Sequence, residues 1–345
     1  MPDIPHIGRL AAGPRGSIAD VAGVTVGHCT LDDGPVQTGV TVVVPHAGNL
    51  FTHKLPAAVA VINGFGKSAG LVQIEELGTL ETPIALTNTF SVGAVVTAQI
   101  RHALKATPEI GRSLPTVNAV VMECNDGYLN DLHAFAVGEA HFDAALAAAT
   151  TDVAQGAVGA GRGMSSFGLK GGIGSASRKA PVGSGGSEFT VGALVLSNFG
   201  KLPELILNGH PLGRELAAEE SPDAAPEKGS IIMLLATDAP LDARQLKRLA
   251  TRAGAGLART GSAYGHGSGD IALAFSTAQQ IEAGSDCVHA ALLADHLLDP
   301  LFHAAADSVE QAIVNALFAA DTVHGRDGHV RLGLRQRLAS REISS

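Results

Sequence analysis

No tryptophan occurs among the 345 residues, and aromatic side chains make up only 4% of them. A core must therefore come from small aliphatic side chains, and the 46% hydrophobic content supplies enough of them. Cysteine is scarce: Cys29, Cys124 and Cys287 are odd in number and far apart, so neither a disulfide framework nor a zinc motif is legible. Positive charge is also short. Against 33 Asp and Glu stand 24 Lys and Arg, a net charge of −9. That balance argues against a nucleic-acid partner, which calls for a basic face. No apolar run approaches the ~20 residues of a membrane span, and the N-terminus lacks a charged-then-apolar leader. His28, His46, His53 and His266 do not fall at metal-ligand spacing. A soluble cytoplasmic protein is expected, with no metal, no cofactor and no membrane contact.

Glycine is abundant, at 42 residues. Two glycine-rich stretches resemble nucleotide motifs and fail on inspection. Gly66-Lys67-Ser68 lacks the first glycine of a P-loop, because Val61 stands there, and residues 159–164 end in Met164 where a dinucleotide fingerprint needs glycine. Both read as turns and sites of close backbone packing.

Apolar patterning predicts strands over 24–30, 40–44, 57–62, 83–86, 117–122, 189–196 and 271–275, with a short one over 205–207. Helices are expected over 70–77, over 91–106 with Ser91 as N-cap, up to about 149, over 242–260, and over 288–321, kinked or divided at Pro300. Residues 181–187 read as a mobile surface loop. The links between several strands are too short for helical crossovers, which favours mixed sheets covered by helices.

The chain's switch point is the run from Pro226 to Asp238. Residues 215–228 are acidic and Ala/Pro-rich, the composition of an exposed loop. Ile231 to Ala236 is unbrokenly apolar, the pattern of a strand buried on both faces. Gly229 and Ser230 stand between them. A break at that bond gives Ser230 an α-amine beside its hydroxyl. An α-amine titrates near pH ~8 and can serve as base for its own oxygen. The same dipeptide before a strand is also ordinary turn chemistry. A second polar cluster, Glu123 to Asp131, follows the strand over 117–122, at the kind of strand end where α/β proteins place sites.

Together these stretches resemble the self-processing L-aminopeptidase/D-amidase/D-esterase family, which includes β-peptidyl aminopeptidases. The residues that carry the resemblance are Ile18-Ala-Asp-Val-Ala-Gly-Val-Thr-Val-Gly-His, Asn125-Asp-Gly-Tyr-Leu-Asn-Asp, Gly168-Leu-Lys-Gly-Gly-Ile-Gly, Val191-Gly-Ala-Leu-Val-Leu-Ser-Asn-Phe-Gly, Gly229-Ser-Ile-Ile, Gly265-His-Gly-Ser-Gly-Asp-Ile and Ala312-Ile-Val-Asn-Ala-Leu. It implies an α/β (α+β) fold, a four-layer α-β-β-α sandwich of the N-terminal-nucleophile hydrolase kind with mixed sheets. It implies one self-processing domain, cut at Gly229–Ser230 into an α piece of 1–229 and a β piece of 230–345. It implies Ser230 as nucleophile, Ser268 and Asp270 orienting its hydroxyl or amine, and Asn198 and Tyr128 as oxyanion donors. Substrates are small peptides, amides or esters. The partner is a further copy of the chain, in a homo-oligomer of αβ pairs, a tetramer by analogy. Some β-peptide-cleaving relatives carry Glu where this chain has Asp270, which leaves β-amino-acid preference open. Glu123 or Asp126 is the candidate carboxylate for a substrate amine.

Three other readings compete. An ornithine acetyltransferase type of enzyme cuts at Ala-Thr, and Ala236-Thr237 is present at the far end of the strand. An uncleaved ligand-binding protein keeps the fold without catalysis. A Ser268-His266-Asp270 triad is disfavoured, because all three lie in one short loop.

Overall fold

A computed structural model describes residues 4–183, 185–217 and 229–344. Two sheets face each other. The smaller is formed by β1 (Thr25–Asp33), β2 (Val36–Val44), β4 (Ile84–Asn88) and β5 (Val120–Cys124), in that order, with only the last pair parallel. The larger runs from the short edge segment Ile281–Glu282 through β3 (His53–Gly64), β9 (Gly269–Ser276), β8 (Ser230–Thr237), β7 (Ser187–Asn198) and β6 (Gly172–Val182). Here β8 and β9 are parallel and the remaining neighbours antiparallel.

Helices cover the outer faces. Helices α2 (Val92–Ala106) and α3 (Glu139–Ala147) lie on the smaller sheet, where Val95, Ala98, Phe142 and Ala145 pack on Val40, Val42, Ala85 and Val121. Helices α5 (Ala243–Arg259) and α6 (Asp299–Ala319) cover the larger sheet. The layers are thus α-β-β-α, as the resemblance implies. Short helices α1 (Leu71–Leu77) and α4 (Leu212–Ala217) and the C-terminal α7 (Leu334–Ser344) complete the chain.

The β8 strand shows why an unbroken apolar run was needed. Ile231, Met233 and Leu235 point into the core under α5 and α6, while Ile232, Leu234 and Ala236 point into the core between the sheets. A sheet sandwiched on both sides leaves no face for polar residues. Gly174 serves the same compactness: a Cβ there would sit 1.9 Å from the Ala312 carbonyl oxygen, so glycine lets α6 lie directly on β6.

Several local expectations are corrected. Ser91 stands at the N-cap position of α2 as expected but its hydroxyl makes no capping bond; Asn88 caps the 3-10 turn before it, its Oδ1 accepting from the N–H groups of Phe90 and Ser91 at 3.1 Å each. Pro300 starts α6 instead of kinking or dividing a longer helix; a residue without an N–H fits the first turn, where that donor has no partner anyway. Residues 205–207 form no strand, because Leu207 makes only a single bridge to His210. The 181–187 segment is the tip of a hairpin: Pro181 pairs with Glu188 and Val182 with Ser187, and the described residues between them form an exposed turn. Glu215 to Ala217 close α4, and Leu216 is buried. The rest of the predicted acidic loop, 218–228, lies outside the described residues.

Candidate active site

Strand ends converge on Ser230. In the register of the larger sheet it faces Asn198 at the end of β7 and Gly269 at the start of β9, and Gly269 in turn faces Gly64 at the end of β3. Ser230 is 5% exposed, and its Oγ accepts a hydrogen bond from the Gly269 N–H at 3.2 Å. Gly229 lies so close to β7 that a Cβ on it would stand 2.3 Å from Phe199 Cα and 2.5 Å from the Asn198 carbonyl oxygen. Only glycine fits, so the Gly229–Ser230 junction is pressed against the end of the Asn198 strand.

The residues flanking Gly269 interact directly. The Ser268 hydroxyl donates to Asp270 Oδ1 at 2.6 Å, and both side chains are buried. Their loop is held by Asn63, whose Nδ2 donates to the carbonyls of Gly265 at 2.9 Å, His266 at 3.3 Å and Ser268. His266 instead approaches the Phe65 ring, with centroids 6.1 Å apart. No imidazole stands between serine and aspartate, which leaves the triad reading without geometry.

Asn198 is oriented from both ends. Its Oδ1 accepts from the Ser165 N–H at 2.8 Å, and its Nδ2 donates to the Asn125 carbonyl at 3.0 Å. This pairing fixes which end of the amide is the donor. It uses one Nδ2 hydrogen and leaves the geometry for a second. Ser165 belongs to a loop clamped by Lys170. The fully buried Lys170 Nζ donates to the carbonyls of Gly161, Met164 and Gly171 at 2.8–2.9 Å. Burial pushes its pKa well down. Three carbonyl acceptors nonetheless need three N–H donors, and only the ammonium has them.

Tyr128 is half-exposed in the turn after Asn125. His329 stacks on its ring at 4.5 Å, and the Arg331 guanidinium lies 3.5 Å from the ring centroid. The same C-terminal segment holds the turn by its backbone. Arg326 Nε donates to the Gly127 carbonyl at 2.8 Å, and His329 Nδ1 bonds the Tyr128 carbonyl at 2.7 Å.

The two candidate amine-binding acids sit differently. Glu123 Oε1 accepts from the Lys67 N–H at 2.8 Å, and Oε2 accepts from the Thr89 hydroxyl. A Cβ on Gly66 would lie 3.6 Å from Glu123 Oε1 and 3.9 Å from Gly269 Cα, so Gly66 stands between this carboxylate and the residue paired with Ser230. The turn that imitates a P-loop thus holds a carboxylate with its backbone. Asp126 is fully buried and takes a hydrogen bond from Asn130 Nδ2 at 3.0 Å. Burial pushes its pKa up to about 7, against lowering by Thr38, Asn130 and Lys170. Cys124, between these acids, marks the local field. Its thiol is pushed well up, first by burial and then by Glu123, Asp270 and Asp126.

A pH effect follows from Asp126. The folded chain holds its proton up to about pH 7, whereas an unfolded chain releases it near the ordinary carboxylate value of 3.8. Its contribution to stability therefore falls as pH rises between those values and is flat outside them. Urea melts of the wild type and Asp126→Asn at pH 4 and pH 8 are expected to diverge. The wild type should lose on the order of 3 kcal/mol relative to the variant at the higher pH.

Sequence reasoning did not single out Asn63, Ser165, Lys170, Arg331 or the Gly269 N–H. Lys170 had a readable signal, a lone cation between glycines in an otherwise apolar stretch. The others act through backbone groups or, for Arg331, through the Tyr128 ring, and only the fold brings these near. Thr237 ends β8 at the opposite end from Ser230. Its hydroxyl donates to the Thr190 carbonyl at 2.8 Å, so it serves as a strand-end bond. Among the described residues no group of His, Cys, Asp and Glu is placed to hold a metal ion, and no helix is long and apolar enough to cross a membrane.

Comparison with known proteins agrees with this geometry. The profile of peptidase family S58 matches residues 16–331. The β-peptidyl aminopeptidase BapA of Sphingosinicella microcystinivorans is 40% identical, over 94% of this chain and 86% of that protein. Among solved structures, the Burkholderia sp. β-aminopeptidase is 43% identical with a TM-score of 0.87, covering 98% of this chain and 97% of that one. The L-aminopeptidase D-Ala-esterase/amidase of Ochrobactrum anthropi, described as a prototype for the serine aminopeptidases and a variant of the Ntn hydrolase fold, is 35% identical with a TM-score of 0.89 and the same coverage. With a sandwich that matches an Ntn hydrolase variant and a family profile spanning most of its length, the chain belongs to peptidase family S58 and is a serine aminopeptidase of the N-terminal-nucleophile type.

Proposed function

We propose that the chain cuts itself between Gly229 and Ser230 and then releases N-terminal residues from small peptides, amides or esters. The observation that carries this reading is the packing of Gly229 against Asn198 and Phe199, with Ser230 Oγ on the Gly269 N–H. In the self-cut, Ser230 Oγ attacks the Gly229 carbonyl carbon. The Gly229–Ser230 C–N bond breaks as the nitrogen gains a proton, and water opens the resulting ester. The pieces are 1–229 and 230–345 within one fold.

In turnover, Ser230 Oγ attacks the substrate carbonyl and its own α-amine takes the proton. The ammonium so formed gives a proton to the leaving amine or alcohol, and water then opens the acyl-serine. Asn198 Nδ2 and the Tyr128 hydroxyl supply the donors for the tetrahedral oxygen. Ser268 and Asp270, joined by their hydrogen bond, orient the hydroxyl or amine of Ser230 through the Gly269 link.

Glu123 holds the substrate ammonium. Only Gly66 separates it from Gly269, whereas Asp126 is turned onto Asn130 and keeps its proton to about pH 7. Glu123→Gln should raise KM for free-amine substrates about 10- to 100-fold and change kcat far less, measured on aminoacyl p-nitroanilides. The relatives named for β-peptides and for D-Ala esters and amides place both classes on the substrate panel. A cytoplasmic homo-oligomer of αβ pairs, a tetramer, belongs to the same reading. N-terminal sequencing of the purified active protein decides the scheme. It should yield Ser-Ile-Ile-Met beside the original N-terminus, and an active preparation with only the original N-terminus overturns it.

A further inference from the structure

Segments that follow strand ends of both sheets carry exposed phenylalanine, and they form two lips joined at Glu123. On the larger sheet's lip, Phe65 follows β3 and is 53% exposed, with Lys67 Nζ 4.3 Å from its ring centroid. On the smaller sheet's lip, Phe90 follows β4 and Phe135 follows the turn after Tyr128. They are 49% and 65% exposed, and their rings stack at 5.9 Å and 15°. Glu123 ties the lips together. The donor to one carboxylate oxygen is the Lys67 N–H, two residues from Phe65; the donor to the other is the Thr89 hydroxyl, one residue from Phe90. An ammonium bound at Glu123 would therefore meet the segments that carry Phe65 and Phe90. In a chain with only 11 phenylalanines and no tryptophan, two exposed rings on the segments that hold one carboxylate, with a third stacked on one of them, call for a binding role.

We infer that Phe65, Phe90 and Phe135 form a subsite for the side chain of the substrate's N-terminal residue, and that the enzyme favours aromatic or bulky apolar side chains there. The inference rests on Glu123 holding the substrate amine. A substrate ring stacked on these walls gains aromatic contact that a methyl side chain cannot make, worth about two- to tenfold per ring in kcat/KM.

The test is the ratio of kcat/KM for phenylalanine p-nitroanilide over alanine p-nitroanilide, which cancels the shared leaving group. The wild type should favour phenylalanine by about tenfold or more. Phe65→Ala, Phe90→Ala and Phe135→Ala should each lower the ratio about threefold, and the Phe90/Phe135 double substitution should bring it close to one. If a variant gives no soluble cleaved protein, its Phe→Leu counterpart is measured and should lower the ratio in the same direction. A wild-type ratio below one, or a ratio unmoved in every variant, overturns the inference. So does a change in sedimentation mass with an unmoved ratio, which would make the rings an interface between copies. An uncut chain that hydrolyses neither amide sinks the N-terminal-serine reading together with this one. A cut enzyme that hydrolyses both with an unmoved ratio sinks this inference alone.

Discussion

Replacing Ser230 with alanine should leave a single full-length band on a denaturing gel after prolonged incubation, and amide turnover should fall by about 10⁴-fold or more. The two losses have one cause. In the proposed scheme both reactions begin with Ser230 Oγ on a carbonyl carbon, first that of Gly229 and then that of the substrate. Alanine removes the oxygen while the apolar run from Ile231 to Ala236 keeps the strand in place, so the variant should melt close to the wild type. Ser230→Cys separates the steps, since a thiol can still attack; some cutting should return. Gly229→Ala tests the other side of the bond. Its Cβ has no room against Phe199 Cα and the Asn198 carbonyl, so cutting should slow even with the serine intact. A Ser230→Ala chain that still splits at this bond would falsify the scheme.

The legibility of the molecule was uneven for physical reasons. The two-faced burial of β8 was readable because an unbroken apolar run has few other uses. Helix α5 was readable because its apolar period and Asp242 cap agree; Asp242 accepts from Gln245 N at 2.7 Å and Gln245 returns a bond to the Asp242 N–H at 3.2 Å. The start of α6 was misplaced because residues 288–294 share the helix's composition, and only packing decides that ordering begins at Asp299. Ser91 was rightly placed at the cap position of α2, but its hydroxyl makes no capping bond, and the side-chain cap belongs to Asn88 one turn earlier.

At the site, serine and its flanking acid were visible because they are chemistry-bearing side chains in short motifs. The groups that aim them were not. Gly269, Ser165 and Asn125 act through backbone N–H and C=O, which every residue possesses. Glu123 was one of two candidates on sequence grounds. What separates it from Asp126 is its partners: Glu123 is held by the Lys67 N–H and the Thr89 hydroxyl, Asp126 by Asn130.

The second large effect is expected at Asn198. Asn198→Ala should lower kcat about 10²- to 10³-fold with little change in KM, because the oxyanion donor is needed only once the carbonyl becomes tetrahedral. Self-cutting should slow as well, since the Gly229 carbonyl passes through the same geometry. Asn198 also carries structural bonds to Ser165 and Asn125, so alanine alone could act by loosening the turn. Asn198→Asp distinguishes the causes. The carboxylate keeps an acceptor for the Ser165 N–H but puts an oxygen where Nδ2 now donates to the Asn125 carbonyl. Catalysis should drop as far as in the alanine variant, although one of the two structural bonds survives. Lys170→Met provides the complementary case: it frees the carbonyls of Gly161, Met164 and Gly171 without touching the amide. If Asn198 works only as a strut, Lys170→Met should cost as much kcat as Asn198→Asp for the same loss of thermal stability. If it donates to the oxyanion, the aspartate variant should lose far more rate per degree of melting temperature.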